Sequence, residues 1–444
     1  MSGPTQAHGI WGHVHVTGWA IENLPASDLK DFFSDPQVLN AALFGAAFTD
    51  SGYWPQAGEL AERSRAYSEH THWEPFIAEF LAWIIENDPP PWTSLESKKR
   101  VAFMMGCAAH GLQDELFDSL FLYQVEARDQ GGQDEADPGT DGFLVQDGHA
   151  RFMPTQYIPM ETLLELYQSL EEDVDEETIT KSVSVMESFY LNEVFGWDVA
   201  EAAGGQFAEA LPWTRLHYLD PDVPGSLRAE IFPTMRYLQG IWMRLHGTLM
   251  GADVVGFAYP EQPRRLRSHD HTSVDSWATL VFTAGVSFES AAPTWVDEAG
   301  VPVPFTMQNT RWGGAFPRLI RLTPSAPLRP GGRYTIELPA GADVIDGFEM
   351  DAPYTFEFQV ACAAENLEEC EELGDIPAAS IDGPAQEVVP EPEPDQAPPA
   401  PPTQAPAAGE GCAQVGAGST QLIPQLLLLL AAALMRRRLA PDSE

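Results

Sequence analysis

Apolar positions recur at helical spacing through roughly the first 250 residues and at strand spacing beyond about residue 258, so the pattern predicts a helical part followed by a β part. The densest stretch is 101–124, VAFMMGCAAHGLQDELFDSLFLYQ, which reads as one continuous helix. Its apolar surface is interrupted by His110, Asp114 and Asp118 at i, i+4 and i+8. At about 3.6 residues per turn these positions advance only about 40° per step, so the three side chains are expected on one face. Further helices are expected over 38–48, ending at the turn signal Thr49-Asp50-Ser51-Gly52, and over 76–86, ending at Pro89-Pro90-Pro91. An apolar-periodic run (Val16, Trp19, Ala20, Ile21, Leu24) follows His13 and His15, and helices return at 160–172, 176–195 and 229–250. Between them, 130–148 reads as an acidic, glycine-rich loop.

Beyond residue 258 the runs shorten to 278–282, 319–322, 334–338 and 354–360, separated by Pro and Gly turns at sandwich spacing. The segments Leu328-Arg-Pro-Gly-Gly-Arg-Tyr334 to Leu338, Gly347 to Met350 and Tyr354 to Phe358 resemble the bacterial Ig-like modules appended to exported proteins. Residues 363–410 hold twelve Asp or Glu, no Lys or Arg, and a dense Pro-Ala tract, the composition of a disordered, self-repelling linker. A final segment, 411–444, carries Cys412, an apolar stretch over 422–435 interrupted by Pro424, and Arg436-Arg437-Arg438. Fourteen residues of helix rise roughly 21 Å, short of a hydrocarbon core. This tail resembles the MYXO-CTERM surface-sorting class, which implies sorting machinery as a partner and an exported or surface protein; a weak membrane-anchoring transmembrane helix is the alternative. The start of the chain shows no legible signal peptide. The expected division is therefore 9–251, 258–361, 363–410 and 411–444, in a chain expected to be a monomer.

At 444 residues and 44% hydrophobic, with 12 Trp and 23 Phe, the chain has the material for more than one core. Its charge changes the functional picture. The formal net charge is −42 and the only lysines are Lys30, Lys98, Lys99 and Lys181, so a nucleic-acid backbone is not an expected partner. Of the four cysteines, Cys107 lies inside the 101–124 helix, while Cys362 and Cys370 are close enough to close a small loop in an oxidising compartment. No P-loop, no Gly-x-Gly-x-x-Gly after a strand and no Gly-x-Ser-x-Gly gives nucleotide or serine-hydrolase chemistry a foothold.

Two carboxylates and an imidazole on one stripe of an apolar helix are expensive to bury, and a divalent cation removes that expense. Further motifs carry a resemblance. His72-Trp-Glu-Pro-Phe76, the run through Pro89-Pro-Pro-Trp92, Val101-Ala-Phe103 to Gly106, Ala109-His110 to Asp114, and upstream Gly45-Ala-Ala-Phe48-Thr-Asp50-Ser-Gly-Tyr53 are similar to the catalytic domain of glycosylphosphatidylinositol-specific phospholipases D. That family belongs with the bacterial zinc-dependent phospholipases C and, more distantly, with fungal single-strand nucleases. The resemblance spans 9–251. It implies a mainly helical domain whose zinc cluster of two or three ions lines a cleft, with ligands at His13, Asp50, His72, His110 and Asp114. Asp114 is expected to bridge two ions, and Asp50 to ligate one and to orient or deprotonate the attacking water, which makes it the catalytic residue. The implied substrate is a phospholipid or other membrane-surface phosphodiester.

Three departures from the family pattern matter. Asp118 stands where the family has a histidine, and Gln133 or Asp134 and Asp137 stand for a histidine and an acid of the following loop. With Asp118 and Asp137 as ligands, one metal position has mostly oxygen donors, which suits another divalent cation. The family's N-terminal amine ligand has no evident counterpart; Trp11 after cleavage, or His15, is the substitute the sequence offers. Alternatives are a non-catalytic surface-binding protein that keeps a structural metal, or a nuclease on the same scaffold.

Overall fold

The computed structural model describes residues 9–54, 59–129, 131–189, 202, 204–249, 251–252, 254–258, 277–309, 316–329 and 331–360. The linker over 363–410, the tail over 411–444, and Cys362, Cys370 and Cys412 lie outside the described residues. Among the described residues no helix is long and apolar enough to cross a membrane.

The helical part is built on α1 (Ile10–Glu22), α2 (Asp28–Phe32), α3 (Pro36–Phe48), α4 (Glu59–Thr71), α5 (Glu74–Asn87) and α6 (Leu95–Leu116). Helices α3 and α6 lie against each other through a pair of glycines. A Cβ on Gly45 would stand 2.2 Å from the Phe103 carbonyl oxygen, and one on Gly106 would stand 2.0 Å from that of Ala42. The backbones approach so closely because neither residue has a side chain. Pro36 at the first turn, with Asp35 accepting from the Gln37 N–H at 2.8 Å, starts α3. A 3₁₀ turn, Thr49–Tyr53, ends it and carries Asp50 inward.

The single helix expected over 101–124 is continuous but carries a local π turn. A π turn, Phe117–Phe121, separates α6 from α7 (Leu122–Arg128), with the Leu122 N–H reaching the Phe117 carbonyl. A π turn accommodates an extra residue, so positions beyond it fall out of phase with the stripe before it. The acidic segment expected as a loop is helix α8 (Gln133–Gln146). Glu135 folds back to accept from the Gly132 N–H at 2.9 Å, and burial of Ala136, Phe143 and Leu144 overrides the glycines and Pro138. Then follow α9 (Met160–Ser169), α10 (Glu176–Phe189), α11 (Pro212–His217) and α12 (Ile231–Leu245).

The β part is antiparallel throughout the described residues: β1 (Val254–Ala258), β2 (Ala278–Phe282), β3 (Val286–Ser287), β4 (Thr294–Asp297), β5 (Phe305–Asn309), β6 (Leu319–Pro324), β7 (Arg333–Leu338), β8 (Asp343–Val344) and β9 (Tyr354–Gln359). One sheet has the order β1-β2-β6-β5, another β4-β7-β9, and β3 pairs with β8. Leu280, Phe282, Ile320 and Leu322 of the first sheet share a core with Trp295, Ile336, Phe356 and Phe358 of the second. The alternate residues of β2 and β6, Val281 and Leu319, belong instead to the helical core, the same buried cluster as Phe103, Leu112 and Ile241. The two parts are joined by apolar packing rather than by a linker alone.

Candidate metal centre

Asp50, His72, His110 and Asp114 come from three places: the 3₁₀ turn after α3, the residue just past α4, and successive turns of α6. His13 comes from α1, which crosses the same site. All five are buried, none more than 6% exposed.

The local hydrogen bonding decides what each imidazole can offer. His72 Nδ1 lies 2.6 Å from the Ser68 carbonyl oxygen, and His110 Nδ1 lies 2.5 Å from that of Ala46. A carbonyl only accepts, so both Nδ1 atoms carry hydrogen and both Nε2 atoms face the interior of the site. His13 Nδ1 lies 3.0 Å from Gln113 Oε1, whose amide is oriented by donating to Thr17 Oγ1 at 3.0 Å. His13 Nε2 is thereby turned to Asp114 Oδ1, 3.0 Å away. The other Asp114 oxygen lies 3.1 Å from His72 Nε2 and 3.5 Å from His110 Nε2. Asp50 Oδ1 is 3.3 Å from His72 Nε2 and 3.5 Å from His110 Nε2, and the two Nε2 atoms are 3.1 Å apart. The His13 and His110 rings stack at 3.5 Å.

Two imidazole nitrogens facing each other among carboxylates require a positive charge between them, as a proton or a metal ion. The groups His13–Asp50–His110 and His72–His110–Asp114 each bring their ligand atoms within 4.8 Å of one another, so these buried His and Asp side chains could hold a metal ion. In protonic terms the site is polarised. Burial opposes charge on His72, but hydrogen bonds and attraction from Asp114 and Asp50 outweigh it and lift its pKa to about 10. Burial also resists ionisation of Asp50 and Asp114, yet the histidines, His110 foremost, hold both well below the usual carboxylate range. His13, stacked on His110, is lowered by burial and then by that neighbour.

Asp118 and Asp137 belong to neither group. The Asp118 carboxylate, within the π turn, accepts from Gln133 Nε2 at 3.2 Å. Asp137 is 4% exposed, and burial followed by repulsion from Asp118, Asp114 and Asp50 pushes its carboxyl well up. His15 does not stand in for an amine ligand. It lies on α1 two residues beyond His13, accepts from the Arg151 and Phe152 N–H groups at 2.7 and 3.1 Å, and points away from the cluster. The Trp11 N–H donates to Asp141 Oδ2 at 3.1 Å and the Gly12 N–H to Oδ1 at 2.7 Å, so the start of α1 is held by α8.

Sequence reasoning missed Gln113, Asp141 and Glu230. Gln113 had a signal, since it is one residue from Asp114 on the same helix. Asp141 stands four residues after Asp137 and was hidden by reading that segment as a loop. Glu230 is 1% exposed, its carboxyl raised by burial and then by Asp114 and Asp118; nothing in its surroundings in the sequence marks it.

No protein-family model matches the chain. It is 29% identical over 177 residues to the phosphatidylinositol-glycan-specific phospholipase D of Bos taurus, covering 36% of this chain and 20% of that protein. With the Rattus norvegicus protein of the same name it shares 28% over 192 residues, covering 40% and 22%. With the Homo sapiens protein it shares 32% over 114 residues, covering 23% and 14%. The chain thus spans between 14% and 22% of the length of these relatives, and the similarity is partial and distant, to a phospholipid-related hydrolase. Among solved structures, the N-terminal part of the bacterial S-layer protein SbsC aligns at 13% identity over 73% of this chain and 78% of that one, but with a TM-score of 0.20 it carries no argument about fold.

Proposed function

We propose that the chain is an exported, metal-dependent phosphodiesterase that hydrolyses phospholipid or glycosylphosphatidylinositol-type headgroups. The observation that carries this reading is the spacing of four ligand atoms. His72 Nε2, His110 Nε2, Asp114 Oδ2 and Asp50 Oδ1 give five interatomic distances between 3.1 and 3.5 Å. A tetrahedron built on bonds of about 2.0–2.1 Å has edges of roughly 3.3–3.4 Å, which favours zinc as the ion. The partial similarity to phospholipases D supports the substrate class.

In this reading His72, His110, Asp114 and Asp50 would hold one ion, and His13, Asp118 and Asp137 would hold a second. Bound ions supply a water of lowered pKa and neutralise the phosphodiester charge. The protein's own residues do the rest. Ser68 and Ala46 carbonyls and the Gln113 amide fix the ring orientations, and Asp50, held ionised, would ligate the ion and orient the attacking water. The strand orders β1-β2-β6-β5 and β4-β7-β9 support reading the sheet region as an Ig-like sandwich, and the acidic surface argues against a nuclease. We read the tail over 411–444 as a surface-sorting segment and the chain as a monomer.

The test is release of phosphocholine, phosphatidic acid or diacylglycerol from vesicles by the zinc-loaded full chain, with and without a chelator, and by Asp50→Asn. Metal-dependent release abolished in the variant is expected; a zinc-loaded chain that releases none of these sinks the proposal. One observation favours a second reading. All four vertices of the tetrahedron are protein atoms, as in a structural site, and Asp118 is engaged by Gln133, so a metal-stabilised binding protein is the outcome if zinc binds without turnover.

A further inference from the structure

The strand-borne residue Arg318, directly before β6, is fully buried inside the helical part. Its Nε donates to Glu115 Oε1 at 2.8 Å, and Nη2 lies 2.7 Å from the same oxygen. Nη2 also donates to the His72 carbonyl oxygen at 2.8 Å, while Nη1 lies 3.5 Å from the Ala108 carbonyl oxygen and 3.4 Å from the Tyr237 hydroxyl. Tyr237 in turn donates to Glu74 Oε2 at 3.0 Å, and Arg244 reaches Glu74 at 3.5 Å and Asp346 of the β part at 3.2 Å. Each named contact of the guanidinium is thus with an element that carries the metal centre, or with its immediate support.

We propose that Arg318 is a positioning residue for the metal centre, a brace by which the β part sets the spacing between His72 and the α6 ligands His110 and Asp114. The proposal rests on the reading of that cluster as a metal site. Three observations carry it. His72 is held at both ends, its ring by the Ser68 carbonyl and its own carbonyl by Arg318, which leaves the ring little freedom to swing away from His110. Glu115, next to Asp114, is fixed by the same guanidinium, so one planar group ties the segment after α4 to the ligand-bearing turn of α6. Gly111, next to His110, makes room for this arrangement: a Cβ there would stand 2.1 Å from the His72 carbonyl oxygen and 2.8 Å from Arg318 Nη2. Buried ion pairs are weak contributors to stability compared with apolar packing of the same volume, so fixing geometry is what this buried charge offers the molecule.

The test is titration of the metal-free full-length protein with Co²⁺ in competition with a chromophoric chelator, together with the visible spectrum of the cobalt form. Arg318→Met is expected to weaken Co²⁺ binding ten- to a hundredfold, as loss of a group supporting a ligand does, and to shift the ligand-field bands. Arg318→Lys, which keeps the charge but cannot reach Glu115 and the His72 carbonyl at once, should fall between. Asp346→Asn, which breaks an ion pair of the same interface away from the cluster, should lower the thermal midpoint and leave Co²⁺ affinity unchanged. A folded Arg318→Met protein with the affinity and spectrum of the parent overturns the proposal. Should that variant not fold, Arg318→Lys and Glu115→Gln decide it by the same readout. A parent protein that binds no Co²⁺ refutes the metal reading itself, a result distinct from variants that match a parent that does bind.

Discussion

His110 has one ring nitrogen engaged by the Ala46 carbonyl, and that fact limits it to one ion through the other. The same logic makes Gln113 consequential. Its amide fixes which nitrogen of His13 faces Asp114, and nothing else about it needs to touch an ion. Replacing it as Gln113→Leu should weaken metal binding about tenfold with the fold retained; chelator competition and circular dichroism measure the two separately. Asp50, His72, His110 and Asp114 were legible in the sequence because each sits in a short motif, whereas His13 was reached only through the family resemblance. Asp118 and Asp137, expected beside them, are near enough for Asp118, Asp114 and Asp50 to repel charge on Asp137, with Asp118 inside a π turn and Asp137 on a helix rather than in a loop. The π turn and α8 are products of tertiary packing, which a local pattern does not encode.

Among the elements, α3 and α6 matter most, since one ends at Asp50 and the other bears His110 and Asp114. Their glycine contact sets how far apart those groups stand. Gly106→Ala should destabilise the protein by about 1–3 kcal/mol through forced separation of the backbones, read as a lower urea midpoint. The glycines were visible in the sequence, but their facing one another was not, because it depends on the crossing of two helices. At the start of α10, Asp175 accepts from the Thr178 hydroxyl and N–H at 2.6 and 2.7 Å and pairs with Arg63. These hydrogen bonds, those of Thr178 first, draw its pKa from 3.8 to about 2. The unfolded chain therefore binds the proton more tightly, so the stabilisation is complete above about pH 4 and is lost as pH falls toward 2. Asp175→Ala should cost about 1 kcal/mol at neutral pH and flatten that stretch of the acid-unfolding profile.

In the molecule as a whole, helices give way to strands at β1 (Val254–Ala258), just before the change of pattern read near residue 258. That pattern does not show that the core ignores the boundary. Val281 and Leu319 pack with the helices, and Glu115 and, at 3.8 Å, Glu74 find a cationic partner in Arg318 of the β part. A chain ending at residue 251 loses Arg318 and leaves Glu115 buried without it, a loss of about 3–5 kcal/mol for a broken buried pair. Calorimetry of that fragment should show no cooperative transition at temperatures where the full chain has one.

The guanidinium that reaches the His72 carbonyl lies 246 residues downstream of it. At roughly 5–20 residues per second of synthesis, about 12 to 50 seconds pass between the emergence of one and the other. A nascent chain therefore displays the histidines and aspartates long before the last support arrives, and an ion met during that interval encounters a looser, less selective nest than the finished protein presents.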